Sequence, residues 1–275
     1  MVSWKDVRAK FIEYLKSIEY DERTARSMLS YLDRYVTVIK EPYDIITLFS
    51  GVKRGKNHIV KALRKLFKFY EILGFDDLKL EALRKALPKA VWGVDIRIPL
   101  EDKVREALKK IENEPLRYHV LYDVLLDSGL RVVEAVALVN GFKNENVQEI
   151  NGFYRYELAM FRGTKQAYYG HFSKHTLDEL RANVEPVKER AASRILGKHD
   201  LIRPKYLRKY AFDKMIELDV PESVADFIEG RVPVSVGAKH YMALARQSAK
   251  FYPRYLKHLK QLRRKGAHRT PSKAF

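Results

Sequence analysis

The chain has 275 residues, of which 46% are hydrophobic and 32% charged, and its formal net charge at neutral pH is +18. This length indicates about two domains, and the charge favours a polyanionic partner, nucleic acid before an anionic membrane surface. The absence of cysteine excludes disulfides, thiolate metal sites and cysteine nucleophiles. No apolar run approaches the ~20 residues that span a bilayer, and no signal peptide is recognised, so we expect a cytoplasmic protein without a membrane partner.

The first 90 residues are predicted to form a helical domain. Two helices are expected to follow possible N-cap residues: Val7–Ile18 after Ser3, and Thr24–Val38 after Asp21. A further helix is indicated by apolar residues at helical spacing that end before Gly74: Ile59, Ala62, Leu63, Leu66, Phe67, Tyr70 and Leu73.

Basic residues occupy the other surfaces of this last helix. They are Lys56, Lys61, Arg64, Lys65 and Lys68. A basic face of this kind is often only solvated, but the large positive charge of the whole chain favours contact with the DNA backbone. We therefore predict that these five side chains bind DNA.

A linker is predicted where two prolines and a glycine interrupt the helical periodicity within Leu87–Pro99. We assign residues 91–98 to the linker and residues 99–275 to a second domain. The fold class is mainly α, with a helical N-terminal domain followed by a mostly helical domain that contains a small three-stranded antiparallel β-sheet.

The β-sheet of the second domain is predicted from a hairpin signal. Asn151-Gly152 separates two β-prone runs, Val147–Ile150 and Phe153–Phe161, and a second turn at 162–165 leads into a third, Gln166–Ser173. Helices are predicted around the sheet: Leu116–Leu126, Arg131–Val139, Thr176–Asn183, Pro186–Leu196, Pro204–Leu218 and Pro221–Ile228.

The last 46 residues, 230–275, contain twelve Lys or Arg and no Asp or Glu. Tyr241 lies within this basic segment, ten residues after Arg231 and 33 after Arg208. Arginine and lysine match phosphate oxygens, and tyrosine is one of the few side chains that attack phosphorus. The pattern indicates chemistry on a nucleic-acid phosphate.

Five features of the second domain occur in a fixed order. They are Ser128–Leu138, Lys165 in a turn between strands, Lys205–Arg208, Gly230-Arg231, and Tyr241. Over about Pro99–Leu259 this order resembles the tyrosine recombinases, with Arg131 in the first arginine box, Lys165 as the hairpin lysine, Arg208 in the second box and Tyr241 as the nucleophile.

Three positions depart from the usual family pattern. Lys205 replaces a histidine, Lys209 follows the second arginine where histidine is common, and Arg231 replaces histidine or tryptophan. The resulting set is similar to that of integrases from archaeal spindle-shaped viruses and related plasmids. The scarcity of glutamine beside abundant Lys, Arg and Glu is a bias of proteins from very hot environments.

The resemblance implies an N-terminal core-binding domain, a catalytic domain, and cleavage of double-stranded DNA attachment sites through a 3′-phosphotyrosyl intermediate. It also implies a homotetramer acting on two duplexes, and integration or excision of a mobile element. A type IB topoisomerase uses similar chemistry as a monomer. A third interpretation is an accessory protein that binds DNA without cutting it.

Physical chemistry suggests a role for each of these residues. Attack on a phosphodiester builds negative charge on the phosphate oxygens, which Arg131, Arg208 and Arg231 are expected to stabilise. Lys165 is the candidate general acid for the leaving oxygen, and Lys205 is expected to help Tyr241 become phenolate-like.

Glu134, one helical turn after Arg131, is expected to orient that arginine. No His or carboxylate cluster at ligand spacing is evident, so we expect neither a metal ion nor a cofactor. His171, His175 and His240 are expected to be surface or structural residues.

Two interpretations of the C-terminal region remain open. If Tyr241 only packs, Tyr252 or Tyr255 is the alternative nucleophile. The tail itself is either a solvated arm or a helix that docks on a neighbouring protomer. We expect a short helix that ends at about Leu262, followed by a basic end.

Overall fold

In a computed structural model the chain forms two compact units, Met1–Asp95 and Ile96–Phe275, each with its own hydrophobic core. The structure describes residues 1–89, 93, 95–162, 165–183, 185–198, 201–231 and 243–264. These residues are mostly helical with a small three-stranded antiparallel sheet, as predicted. None of the described helices is long and apolar enough to cross a bilayer.

The N-terminal unit consists of helices and one short strand pair. Its elements are β1 (Val2–Ser3), α1 (Trp4–Ser17), α2 (Glu22–Tyr35), β2 (Val38–Ile39), α3 (Pro42–Ser50), α4 (Lys56–Ile72) and α5 (Asp77–Ala86). The core is formed by apolar faces of these helices, and α4 contributes most to it, with eight buried side chains between Ile59 and Tyr70. The apolar face of α4, which the periodicity indicated, is therefore a main part of the core of this unit.

The first helix starts earlier than predicted, and the second ends earlier. Ser3 precedes α1, but its side chain makes no cap hydrogen bond; its backbone pairs with β2 and contacts the buried Tyr70 hydroxyl. Asp21 caps α2 as predicted, by accepting from Thr24 N at 2.8 Å. The helix ends at Tyr35 because the chain becomes extended to form β2.

In the C-terminal unit, the other elements pack around a buried central helix, α7 (Leu116–Ser128). Its helices are α6 (Glu101–Ile111), α7 (Leu116–Ser128), α8 (Val132–Asn140), α9 (Lys174–Ala182), α10 (Glu189–Ile195), α11 (Pro204–Glu217), α12 (Glu222–Ile228) and α13 (Leu244–Arg264). Every residue of α7 from Val120 to Ser128 is buried. The predicted helices agree with these bounds to within about three residues, whereas α3, α5 and α6 have no predicted counterpart.

The β-sheet has the strand order β3-β4-β5, from β3 (Val147–Ile150), β4 (Phe153–Arg162) and β5 (Lys165–Phe172). Asn151 and Gly152 both have positive φ, 49° and 79°, as a two-residue hairpin turn requires. Lys165 begins β5, so it lies at the start of a strand rather than in the predicted turn. Leu138 of α8 packs so closely on β5 that a Cβ at Gly170 would lie 2.3 Å from its Cδ1.

The C-terminal helix α13 packs against its own unit and continues to Arg264, slightly beyond the predicted end. Its Tyr255 and Tyr252 hydroxyls donate to the carbonyls of Leu126 and Asp127, at 2.9 and 3.0 Å. These carbonyls belong to the last turn of α7, where helix carbonyls lack intrahelical donors. The interpretation of residues 244–264 as a solvated arm is therefore wrong; the residues after 264 lie outside the described part of the chain.

Candidate active site

Arg131 lies at the sharp connection between α7 and α8. Gly129 ends α7 with a φ of 62°, a conformation that favours glycine, and Arg131 then precedes α8. Glu134 is fully buried, and its two oxygens accept from the backbone N and from Nη1 of Arg131, at 3.0 and 2.9 Å. The carboxylate therefore holds both the backbone and the side chain of Arg131 in place.

Arg208 reaches the same connection from α11. Its guanidinium is nine-tenths buried, and Nη1 donates to the carbonyls of Gly129 and Glu229, at 2.7 and 2.8 Å. Burial lowers the pKa of Arg208 to about 10, with further lowering by the positive charges of Arg131 and Arg231. The side chain remains a cation at neutral pH, close enough to the other two arginines to be affected by them.

Arg231 follows the end of α12 and completes the group. Gly230 has a φ of 72°, and its carbonyl accepts from Arg131 Nη1 at 2.8 Å. The Arg231 guanidinium lies 3.1 Å from Glu229 Oε2 and 3.3 Å from Asp226 Oδ1. Arg131 and Arg208 thus bond the consecutive carbonyls of Gly230 and Glu229, directly before Arg231 in the chain.

Glu229 was not singled out in the sequence, although it is the last carboxylate before the acid-free segment 230–275. It is fully buried, and its Oε2 lies 3.3 Å from Arg208 Nη2 and 3.1 Å from Arg231 Nη2. A Cβ at Gly129 would lie 2.7 Å from its Oε1, so glycine is needed there for a second reason. Burial raises the pKa of Glu229 to about 7, although both arginines act in the opposite direction.

One arginine donor of this group makes no hydrogen bond within the described part of the chain. The donor is the buried Nη2 of Arg208, and Glu229 lies nearby. The carboxylates Glu134, Glu229 and Asp226 hold the three guanidiniums from the protein side. Three fixed guanidiniums present paired donors of the geometry that phosphate oxygens accept.

The two predicted lysines are both exposed and have different surroundings. Lys165 is exposed at the start of β5, and its backbone forms an antiparallel bridge with that of Arg231. Lys205 is exposed in the first turn of α11, with its Nζ 5.4 Å from the centroid of the Tyr206 ring. Arg97 also lies over that ring, at 5.1 Å, so Lys205 belongs to a basic cluster around Tyr206.

The predicted nucleophile Tyr241 and its neighbour His240 lie outside the described residues. The alternatives are described: Tyr252 and Tyr255 are fully buried, and their hydroxyls donate to backbone carbonyls. Burial holds the pKa of both phenols well above the usual value. Neither can attack a DNA phosphate from this position.

The predicted histidine roles hold for His171, which is buried and within 3.1 Å of the Ser248 hydroxyl, and whose pKa burial lowers to about 3. His175 is half-exposed, as a surface residue would be, and its Nε2 lies 3.2 Å from Asp123 Oδ2. The sequence shows no cluster of His and carboxylates at ligand spacing, but the structure brings four such side chains together: His119, Asp123, His175 and Glu179.

The predicted DNA-binding cations of α4 include a continuous stripe. Lys61, Arg64, Lys65 and Lys68 follow the spacing i, i+3, i+4, i+7, on the helix surface opposite the core. Lys65 Nζ lies 5.3 and 5.0 Å from the rings of Tyr14 and Tyr20, and Lys68 pairs with Glu71 at 3.1 Å. Lys56 is exposed at the helix start.

The sequence matches a family model described as archaeal phage integrase over residues 96–258, more than half of the chain. No curated protein matches it at a significant level. The fold is similar to that of a lambda integrase tetramer bound to a Holliday junction, with a TM-score of 0.64 at 13% identity, covering 84% of this chain and 77% of that chain. For a lambda integrase dimer bound to a COC′ core site the TM-score is 0.61 at 14% identity, covering 86% of this chain and 76% of that chain. The chain therefore belongs to the archaeal phage integrase family, within the tyrosine recombinases.

Proposed function

We propose that this recombinase cleaves DNA by attack of Tyr241 on a phosphodiester that Arg131, Arg208 and Arg231 hold. The observation that carries the proposal is the bonding of Arg131 and Arg208 to two consecutive carbonyls immediately before Arg231. This arrangement brings together three guanidiniums from three separate parts of the sequence. A site of this composition suits a phosphate whose negative charge grows during the reaction.

The reaction forms a bond between the Tyr241 oxygen and phosphorus and breaks the bond to the 5′ oxygen. The five-coordinate phosphorus carries extra negative charge on its non-bridging oxygens, and each fixed cation there stabilises the transition state by roughly 3–4 kcal/mol. We assign Arg208 Nη2, which makes no hydrogen bond within the described residues and lies 3.3 Å from Glu229 Oε2, to such an oxygen once the phosphate displaces the carboxylate. The product is a 3′-phosphotyrosyl intermediate. In strand exchange, a 5′ hydroxyl of the second duplex attacks the phosphorus and releases the Tyr241 oxygen.

Proton transfers are assigned to the two lysines. The departing 5′ oxygen takes a proton from Lys165, whose strand is paired through its backbone with Arg231. The phenol of Tyr241 loses its proton to solvent, and the positive charge of Lys205 and its neighbours favours the resulting phenolate. Glu134 acts only through Arg131, as a positioning residue.

The substrate is proposed to be double-stranded DNA carrying an attachment site, recombined by a homotetramer. The +18 net charge supports a nucleic-acid partner, and the similar lambda integrase structures are a tetramer on a Holliday junction and a dimer on a core site. Family membership supports integration or excision of an archaeal mobile element. The residue composition supports a hot habitat.

The test is a covalent-trapping experiment with a nicked duplex that carries a site selected by binding. Wild-type protein should form a protein–DNA adduct on a denaturing gel, and Tyr241→Phe should form none while retaining DNA affinity, because only a hydroxyl is removed. Tyr43→Phe is the control, since Tyr43 is an exposed tyrosine of the N-terminal unit. An adduct that persists in Tyr241→Phe would refute the assignment of the nucleophile.

The same assay separates this function from its alternatives. Exchange of strands between two cognate duplexes indicates a recombinase, whereas relaxation of a supercoiled plasmid by single protomers indicates a topoisomerase. An accessory protein would bind but never form an adduct.

At temperatures below the unfolding transition of the metal-free protein, cleavage should proceed undiminished in EDTA, because side-chain cations neutralise the reacting phosphate. Strict dependence of the adduct on Mg²⁺ would favour a carboxylate–metal nuclease instead.

A further inference from the structure

Four side chains capable of binding metal lie together on facing surfaces of α7 and α9, away from the arginines described above. His119 and Asp123 are one turn apart on α7, and His175 and Glu179 are one turn apart on α9. The spacing i, i+4 places each pair on one face of its helix. One donor atom of each residue lies within 4.8 Å of the donor atoms of the other three.

The separations between donor atoms are close to those of a metal site. Asp123 Oδ2 lies 3.2 Å from His175 Nε2 and 3.5 Å from His119 Nε2. Glu179 Oε1 lies 3.5 Å from His175 Nε2 and 3.3 Å from His119 Nδ1. In a tetrahedral zinc site with bonds of about 2.0–2.1 Å, ligand atoms are about 3.3 Å apart. Small side-chain rotations would therefore complete the geometry, with His119 binding through one of its two nitrogens.

The charge of the cluster also fits a dication. The two carboxylates of the cluster, Asp123 and Glu179, and the neighbouring Asp127 are buried or nearly so. Within the described residues, Arg263 bonds Asp123 and Asp127, at 2.9 and 2.7 Å. Glu179 Oε2 is buried and makes no hydrogen bond within the described residues. Buried carboxylates need compensating charge and partners, both of which a divalent ion would supply.

Two further features support a bound ion. Arg263 bonds Oδ1 of Asp123, which leaves Oδ2 for the cluster and fixes the carboxylate in the way that outer partners orient metal ligands. Three of the four residues, His119, Asp123 and His175, line a surface cavity of about 720 Å³, which gives an ion a path from solvent. Besides Arg263, the cavity is also lined by Arg105, Lys109, Lys260 and Arg264. The last three are exposed, so salt screens their charges.

We propose that His119, Asp123, His175 and Glu179 form a structural binding site for a transition-metal dication of the zinc class, which ties α9 to α7. Nitrogen and oxygen ligands in this ratio suit Zn²⁺ and Co²⁺ rather than Mg²⁺ or Ca²⁺. The site is separate from the proposed reaction, whose charge is neutralised by arginines. Its role is to hold together the helix that leads into Arg131 and the helix that follows the sheet.

The test measures ion binding to the full-length protein after treatment with a chelator and dialysis. Titration with Co²⁺ should give the intense visible absorption of a tetrahedral site at one equivalent per chain, and elemental analysis after Zn²⁺ loading should give the same ratio. At about a hundredfold excess of free Zn²⁺ over the dissociation constant, the melting temperature should rise by about 5–10 °C.

Three variants make the result specific. His175→Gln and Glu179→Gln should each weaken Co²⁺ binding by about 100-fold or more. His175 is half-exposed, so its replacement should leave the fold intact even if Glu179→Gln is unstable. His58→Gln is the control, since His58 is an exposed histidine of the N-terminal unit. Absence of stoichiometric Co²⁺ or Zn²⁺ uptake, or equal uptake by wild type and His175→Gln, overturns the proposal and leaves a hydrogen-bonded His–carboxylate cluster.

Discussion

Glu229 competes with DNA for the arginines that are proposed to bind phosphate. When ionised, it lies 3.1–3.3 Å from the guanidinium nitrogens of Arg208 and Arg231, and the charges of Asp226 and Arg131 also act on it. Because burial raises its pKa to about 7, it changes charge near neutral pH. In the free protein the stability that it contributes is greatest below its unfolded pKa and is lost as the pH rises through about 7.

We predict that Glu229→Gln weakens the pH dependence of DNA binding. A bound phosphate favours the protonated carboxyl, so wild-type affinity should rise as the pH falls from about 8.5 to about 6. If the phosphate raises the pKa of Glu229 by one unit, the change is about tenfold. The measurement is the dissociation constant at constant ionic strength, with Glu222→Gln, an exposed carboxylate at the start of the helix that Glu229 follows, as the control. Equal pH profiles for wild type and Glu229→Gln would contradict this role.

At the level of single residues, the sequence predicts conformations that depend on adjacent residues, but not contacts between residues that are distant in the sequence. The positive φ of Asn151 and Gly152 follows from the two residues of the turn alone. Glu229 packs against Gly129, 100 positions earlier in the chain, and no residue near either position indicates this contact. The His–carboxylate cluster was missed for the same reason, since its two i, i+4 pairs are separated by more than fifty residues.

Among the elements, the end of α7 concentrates contacts from the whole C-terminal unit. Its last carbonyls accept from Tyr255 and Tyr252 of α13, and the carbonyl of Gly129 accepts from Arg208. These groups take the place of the missing intrahelical donors. The helix that positions Arg131 is therefore held by donors from distant parts of the sequence.

We predict that Tyr255→Phe destabilises the protein by about 1–3 kcal/mol, because it leaves the buried carbonyl of Leu126 without its donor. Thermal or denaturant unfolding measures the change. Tyr168→Phe should have little effect, since its hydroxyl contact with Gln166 is exposed. A loss of stability as small as that of Tyr168→Phe would show that another donor replaces the hydroxyl.

The basic stripe of α4 yields a second prediction for an element. Neutralising Lys61 and Arg64 together should reduce the slope of log affinity against log salt by about 1.8, or 0.9 for each phosphate contact. Lys65 is left unchanged because it packs over the rings of Tyr14 and Tyr20, so its replacement would also alter packing. The matched control neutralises Lys5 and Lys10, two exposed lysines of α1. An equal reduction in slope by the control pair would show that the stripe has no special role.

Elements were predicted well where one face is apolar and poorly where their ends depend on distant partners. The core face of α4 has helical periodicity and was recognised from it. By contrast, α2 ends early because Val38 and Ile39 pair with the N-terminal strand, a contact that periodicity cannot indicate. The docking of α13 on α7 likewise depends on tyrosines that look like any others in the sequence.

For the whole molecule, each unit has its own core, and so each can be tested separately. If the N-terminal unit binds DNA, removing residues 1–90 should reduce the slope of log affinity against log salt concentration by several units. It should also weaken the preference for particular DNA sequences. All proposed catalytic residues lie beyond position 130, so slow cleavage at low salt should remain. An unchanged slope would instead make the N-terminal unit an oligomerisation or partner-binding module.

The contacts of α13 also govern how this helix opens to solvent. Detaching it would leave two carbonyls of α7 without donors and the carboxylates of Asp123 and Asp127 without Arg263. Such an opening is too unfavourable to occur as local fraying, so α13 and α7 should open as one cooperative unit. Backbone amides around Leu256–Leu259 should therefore exchange hydrogen for deuterium as slowly as those around Val120–Val124, although α13 is the last described helix of the chain.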